Sequence, residues 1–264
     1  ATLRAPLCAG IDPDPRLLPD GMDATAPGIE RYARELVAAV LPHVVAVKLN
    51  VAFFEAFGSA GWAALERVRG DVPRDVVCVI DAKRGDIATS ADRYAEGLLG
   101  SLHADAVTLS PYLGEDAIEP FVNHASRPIV YVLARTSNPS ARSLQDASVA
   151  GRPLYERVAE WVADRWPGGG VGLVVGATAP DELRRVRAIA PDLPFLIPGV
   201  GAQGGDAAAA VAVCHGRAAP GIVSISRAIA EPAAGAGPDW ARAVGRAAES
   251  WRARMLEAGA TLGA

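Results

Sequence analysis

The sequence predicts a single α/β domain, a (β/α)8 TIM barrel, over residues 1–264. Three observations carry this. Short apolar runs alternate with amphipathic stretches eight times, the pattern of parallel strands joined by helical crossovers. The runs are apolar almost throughout, as strands covered on both faces must be. The first run ends in Gly10-Ile11-Asp12-Pro13-Asp14 and not in a G-x-G-x-x-G turn. An open doubly wound sheet therefore fits less well than a barrel of eight equal units.

Taken in order, Leu7–Ile11 is the first expected strand, and a helix follows over Ile29–Leu41. Val44–Leu49 is the second strand, with a helix over Gly61–Arg69. Val76–Ile80 is the third, running into Asp81-Ala82-Lys83, with a helix over Ser90–Leu102. Ala106–Leu109 is the fourth, with a short helix over Glu115–Val122. Ile129–Leu133 is the fifth; a polar loop, Arg135–Asp146, precedes a helix over Leu154–Trp166. Val171–Val175, Phe195–Ile197 and Ile222–Ile225 are the last strands, with helices over Pro180–Ala190, Asp206–Cys214 and Trp240–Glu257.

Composition excludes several classes. Half the residues are hydrophobic, enough for a substantial core, and the net charge of −4 offers no basic surplus for nucleic acid. No apolar stretch reaches the ~18 residues of a membrane span. The first ten residues hold no secretory core, so a cytoplasmic protein is expected. Cys8, Cys78 and Cys214 form no C-x-x-C, and the first two lie in apolar runs as buried small hydrophobes. His43, His103, His124 and His215 share no ligand spacing, so no metal is expected. Ser137 has no histidine placed to activate it as a nucleophile.

Of 26 basic residues only Lys48 and Lys83 are lysine. A GC-rich coding bias explains the arginines. It also makes the two lysines informative, because arginine cannot serve where a proton must be given up or a compact charge is needed. Both fall at strand ends, on the rim where barrels carry their chemistry. Asp12, Asp81, Thr136–Asn138, Gly199–Gly205 and Ser226-Arg227 fall on the same rim. In Asp81-Ala82-Lys83 an extended chain puts Asp81 and Lys83 on one side, with Lys48 entering from the adjacent strand. The alternative is a structural ion-pair plug. The run Pro198–Asp206 offers glycines whose amides can approach an anion and a helix start that adds positive charge. Ser226-Arg227 adds a second set of donors, and loops after strands seven and eight are the usual phosphate site of such barrels.

These residues together resemble orotidine 5'-phosphate decarboxylase, in the bacterial subgroup with the Asp-Ala-Lys-Arg-Gly-Asp motif. The match runs from Gly10-Ile11-Asp12-Pro13 to Ser226-Arg227. It includes Phe53-Phe54-Glu55, Asp81–Asp86, Ser90, Thr136-Ser137-Asn138-Pro139 and Pro198–Asp206. The resemblance implies conversion of orotidine 5'-monophosphate to uridine 5'-monophosphate and CO2, without a cofactor. It implies a charged tetrad of Lys48, Asp81, Lys83 and Asp86, with Lys83 protonating C6 and Asp81 against the substrate carboxylate. It further implies a homodimer in which Asp86 and Ser90 complete the partner's site. Asp12 would bind a ribose hydroxyl, Ser137 the pyrimidine edge, and Gln203 and Arg227 with backbone amides the phosphate. Loop Thr136–Asp146 would be the lid. Two departures are Lys48-Leu49-Asn50 in place of the subgroup's common Lys-Pro, and a shortened helix before strand one. Two other readings remain: a hexulose-phosphate synthase-like barrel, expected to use Mg²⁺, and a nucleotide-binding barrel without chemistry.

Overall fold

A computed structural model describes residues 5–214 and 220–262. Eight strands close a barrel: β1 (Leu7–Ile11), β2 (Ala46–Asn50), β3 (Val77–Arg84), β4 (Ala106–Leu109), β5 (Ile129–Arg135), β6 (Val171–Val175), β7 (Phe195–Pro198) and β8 (Ile222–Ile225). Their hydrogen-bonded order is β1-β8-β7-β6-β5-β4-β3-β2, the expected (β/α)8 arrangement. Parallel pairing puts Gly10 beside Lys48 and Asn50 beside Asp81. The side chains of β1 and β6 are buried along their whole length, which is why these strands read as uninterrupted apolar runs. By internal contacts the chain divides into two compact units: residues up to Ala82 with those from Ser224 onward, and Lys83–Val223.

In the first unit, α1 spans Ala26–Val40 and begins three residues before the expected Ile29. Thr25 caps it, accepting from the Gly28 amide at 3.3 Å, and Pro27 fits the first turn. Its buried stripe is Ile29, Tyr32, Ala33, Leu36, Val37 and Val40, the spacing of one helical face. Tyr32 packs on Trp240 at the start of the long last helix, with ring centroids 5.1 Å apart. A five-residue helix, α2 (Val51–Glu55), was not expected, since so short a segment shows no periodicity. Asn50 caps it, its side chain accepting from the Ala52 amide at 3.3 Å. That gives Lys48-Leu49-Asn50 a local reason: the last residue of the strand caps the helix that follows. The next helix, α3 (Gly58–Gly70), is tied to α1 by Arg34–Asp71 and Arg67–Glu30 ion pairs at 2.6 and 2.7 Å.

In the second unit the helix expected over Ser90–Leu102 is α4 (Ala88–Ala95) followed by a π-helical turn, Glu96–Ser101. Gly97 and Gly100 lie in that turn, and a Cβ on Gly100 would collide with the Glu96 carboxylate. β5 runs two residues beyond the expected Leu133 and carries a register shift between Leu133 and Arg135. Residues 136–146 are not an irregular loop. They hold a 3-10 turn at Pro139–Ala141 and a helical turn at Arg142–Gln145, and two-residue antiparallel strands follow at Ser148–Val149 and Arg152–Pro153. Helices over Leu154–Arg165, Pro180–Ile189 and Ala207–Cys214 match expectation to within a residue or so. Arg187 staples its surroundings, donating to the carbonyls of Val213, Ala190 and Leu193 at 2.9, 3.0 and 2.8 Å and stacking 3.5 Å over Phe195.

Candidate active site

The first unit holds a buried charge cluster. Lys48 is 5% exposed on β2, and its Nζ lies 2.8 Å from Asp81 Oδ2 and 3.8 Å from Asp12 Oδ1. Three consecutive strand ends converge here, because a lysine side chain is long enough to reach the rim above its own pleat. Burial alone would pull the Lys48 ammonium downward, but the Asp81 and Asp12 carboxylates outweigh it and raise it above the ordinary lysine value. The carboxylates therefore favour the ammonium form of Lys48. Below it the Cys8 thiol, bonded to Ser224, is pushed up to about 12 by burial, against the pull of Lys48. Asp12 Oδ1 is buried and has no hydrogen-bond partner among the described residues. An acceptor left in that state is one that a bound hydroxyl would satisfy. Ser226 and Arg227 open a short helix, Arg227–Ala230, after β8. Gly10 lets them do so: a Cβ there would penetrate the Ser226 side chain and come within 2.7 Å of its Cβ.

The second unit holds the remaining predicted residues. Lys83 is exposed with φ +47, and its amide donates to the buried Thr108 hydroxyl at 3.0 Å. The alternation that puts Asp81 and Lys83 on one side assumes extended backbone. It does not hold here: Lys83 sits in the left-handed region, where a lysine is strained. Asp86 accepts from the Ile87 amide at 2.8 Å, and with Thr89, Ser90, Arg93 and Tyr94 it lines an open cleft. Tyr94, in the cleft, and Ile87, next to Asp86 in the chain, are exposed by 41 and 51%; Tyr112 and Leu113, after β4, are exposed by 83 and 47%.

Ser137 follows β5. Its carbonyl lies 3.5 Å from Thr178 Oγ1. Gly176 and Gly199 approach it so closely that a Cβ on them would stand 3.0 and 3.2 Å from Ser137 atoms. The Gly-rich turn bends through Gly199, Gly201 and Gly204, all at positive φ, with Gln203 exposed at its tip. The helix start that was expected to add positive charge is already used. Asp206 accepts from the amides of Ala208 and Ala209 at 2.8 and 3.1 Å, so a carboxylate sits where an anion would dock.

Of the histidines, His124 bonds Ser126 at 2.9 Å, and His215 lies outside the described residues. Among the described residues no three His, Cys, Asp or Glu side chains are grouped to hold a metal, and no helix is long and apolar enough to cross a membrane. Sequence reasoning missed Thr108, which fixes the Lys83 backbone, and Arg135 with Gln145, which hold the Ser137 loop. Gln145 had a legible signal: it and Gln203 are the only glutamines in the chain.

A family model for the orotidine 5'-phosphate decarboxylase / HUMPS family matches residues 5–236. An orotidine 5'-phosphate decarboxylase of Roseiflexus castenholzii is 50% identical over 226 residues, covering 84% of this chain and 82% of that protein. The solved structure of Leishmania donovani OMP decarboxylase superposes with TM-score 0.79 at 38% identity, over 96% of this chain and 94% of that one. Leishmania donovani UMP synthase gives 0.81 at 40% identity, over 96% of this chain but only 54% of that longer one.

Proposed function

The chain belongs to the orotidine 5'-phosphate decarboxylase / HUMPS family, and we infer from that membership and from its buried charge cluster how it converts orotidine 5'-monophosphate to uridine 5'-monophosphate and CO2. The observation that carries the mechanism is Lys48, buried and charged against Asp81 and Asp12. A cluster of that kind is costly to build, and a developing anion gives it a use.

Breaking the bond from C6 to the carboxylate leaves an electron pair on C6 that no adjacent carbonyl delocalises. Lys83 stabilises that pair and then delivers its proton there, so CO2 departs and the C6–H bond forms. Asp81 faces the carboxylate that leaves, and Lys48 fixes Asp81 through the 2.8 Å ion pair. Two unit charges ~4 Å apart interact by about 4 kcal/mol at an effective dielectric near 20. Repulsion of this size between Asp81 and the substrate carboxylate is relieved as CO2 leaves. Asp12, with its open Oδ1 acceptor, takes a ribose hydroxyl. Gln203, Ser226, Arg227 and the amides of Gly199–Gly205 hold the phosphate. Ser137 reads the pyrimidine edge.

Asp86 and Ser90 complete the site of a second copy. Ile87, next to Asp86 in the chain, and Tyr94, in the same cleft as Asp86 and Ser90, are exposed and support a homodimer through this face, since exposed apolar groups around a polar cleft mark contact surfaces. In mixtures of Lys83→Ala and Asp86→Ala subunits, the heterodimer regains one intact site; no recovery on subunit exchange removes the shared-site assignment.

The mechanism is tested with Lys83→Ala. It abolishes turnover and leaves binding of a product analogue within about tenfold. Retained turnover would remove Lys83 as the proton donor.

A further inference from the structure

The segment bearing Ser137 is held by a side chain that the decarboxylation chemistry does not use. Gln145 Oε1 accepts from the Thr136 amide at 2.9 Å and from Arg135 Nη1 at 3.1 Å, while its Nε2 donates to Thr136 Oγ1 at 2.8 Å. Thr136 Oγ1 donates in turn to Asn138 Oδ1 at 2.6 Å, and Asn138 Nδ2 to Ser140 Oγ at 3.0 Å. The residues on both sides of Ser137 are thereby fixed. Arg135, the anchor, is 3% exposed. It follows the register shift in β5, its guanidinium lies 5.8 Å from the centre of the Tyr155 ring, and its Nη2 is 3.5 Å from Asp146. A bulge that re-aims a strand residue beside a site is a recurrent device.

The chemistry of the contact demands an amide. Its oxygen accepts twice and its nitrogen donates once, a combination neither glutamate nor leucine supplies. We propose that Gln145 is a positioning residue for base recognition: anchored on Arg135, it fixes Thr136 and so sets where the Ser137 hydroxyl stands. The proposal rests on the reading of Ser137 as the pyrimidine contact.

The test compares two ligands that differ only by the base. Binding of uridine 5'-monophosphate and of ribose 5-phosphate is measured for the wild type, Gln145→Leu, Gln145→Glu, Ser137→Ala and the Ser137→Ala/Gln145→Leu double variant, together with kcat and KM. Gln145→Leu weakens uridine 5'-monophosphate about tenfold, leaves ribose 5-phosphate within about twofold, and raises KM more than it lowers kcat. Gln145→Glu, which keeps the acceptor and loses the donor, falls between and carries the test if the leucine variant does not fold. The double variant loses no more than Ser137→Ala alone, because the glutamine acts through the serine. Equal weakening of both ligands by Gln145→Leu, or no weakening of either, overturns the proposal while the Ser137 reading stands. Unchanged uridine 5'-monophosphate binding in Ser137→Ala overturns both, and the two failures are told apart by which variant is silent.

Discussion

Replacing Lys48 with methionine keeps an unbranched side chain of similar length and deletes its charge. At an effective dielectric near 20, the 2.8 Å contact to Asp81 is a gross attraction of about 6 kcal/mol and the 3.8 Å contact to Asp12 about 4 kcal/mol. Most of that offsets the cost of drying the three groups, so the gross figures are not the loss. The loss is the penalty on the carboxylates left behind, about 3–5 kcal/mol for breaking a buried pair from one side. At about 2–4 °C per kcal/mol for a chain of this size, the unfolding midpoint falls by about 6–20 °C. The assay is thermal unfolding of Lys48→Met, Asp81→Leu and the double variant. The double variant recovers at least half of the loss, because two apolar side chains leave less charge stranded. A midpoint change under about 2 °C in Lys48→Met, or strictly additive single effects, would refute the cluster as a coupled buried unit.

Three further predictions follow from single contacts. Gly10→Ala drives a Cβ into Ser226; it costs about 1–3 kcal/mol of stability and raises KM for orotidine 5'-monophosphate, whereas unchanged kinetics would place Ser226 outside the phosphate site. Arg187→Met strands three carbonyl acceptors, those of Val213, Ala190 and Leu193. It lowers stability by about 2–4 kcal/mol with kcat unchanged, and a fall in kcat without a fall in midpoint would contradict a purely structural role. Cys8 and Cys214 are both pushed up to about 12, chiefly by burial, against ~8.5 in an unfolded chain. Because their folded values are raised, the stability they contribute is whole below pH ~8.5 and is lost as pH climbs towards the folded value. Lys48, also raised, adds its loss only above pH ~10.4. The unfolding midpoint is therefore insensitive to these groups at neutral pH and falls at alkaline pH, less steeply in Cys8→Ala. Rapid alkylation of Cys8 at pH 8 in the folded protein would contradict its burial.

The strands were legible because burial on both faces leaves short, mostly apolar runs bounded by polar or turn-forming residues. β1, β4, β6 and β8 have the bounds their apolar runs predict. Helix ends were less legible, since Thr25 and Asn50 act as caps through single side-chain contacts that periodicity ignores. The two lysines stood out by scarcity and by their place at strand ends, and Lys48 lies buried against the Asp81 carboxylate. The geometry around Lys83 was not, because its positive φ breaks the alternation on which the reading relied. The Asp206 cap was overlooked for a similar reason. A glycine-rich turn before a helix suggests free amides, but an aspartate at the cap position takes them first. Gln145 reaches back nine residues across two short turns, a range at which sequence pattern carries no signal beyond the rarity of the residue.

Decarboxylation of orotidine 5'-monophosphate by side chains alone has a plain assay: orotidylate absorbance followed with EDTA-treated protein. It predicts undiminished turnover after chelation. Turnover that vanishes with EDTA and returns with Mg²⁺, or no consumption of orotidylate at all, would contradict it.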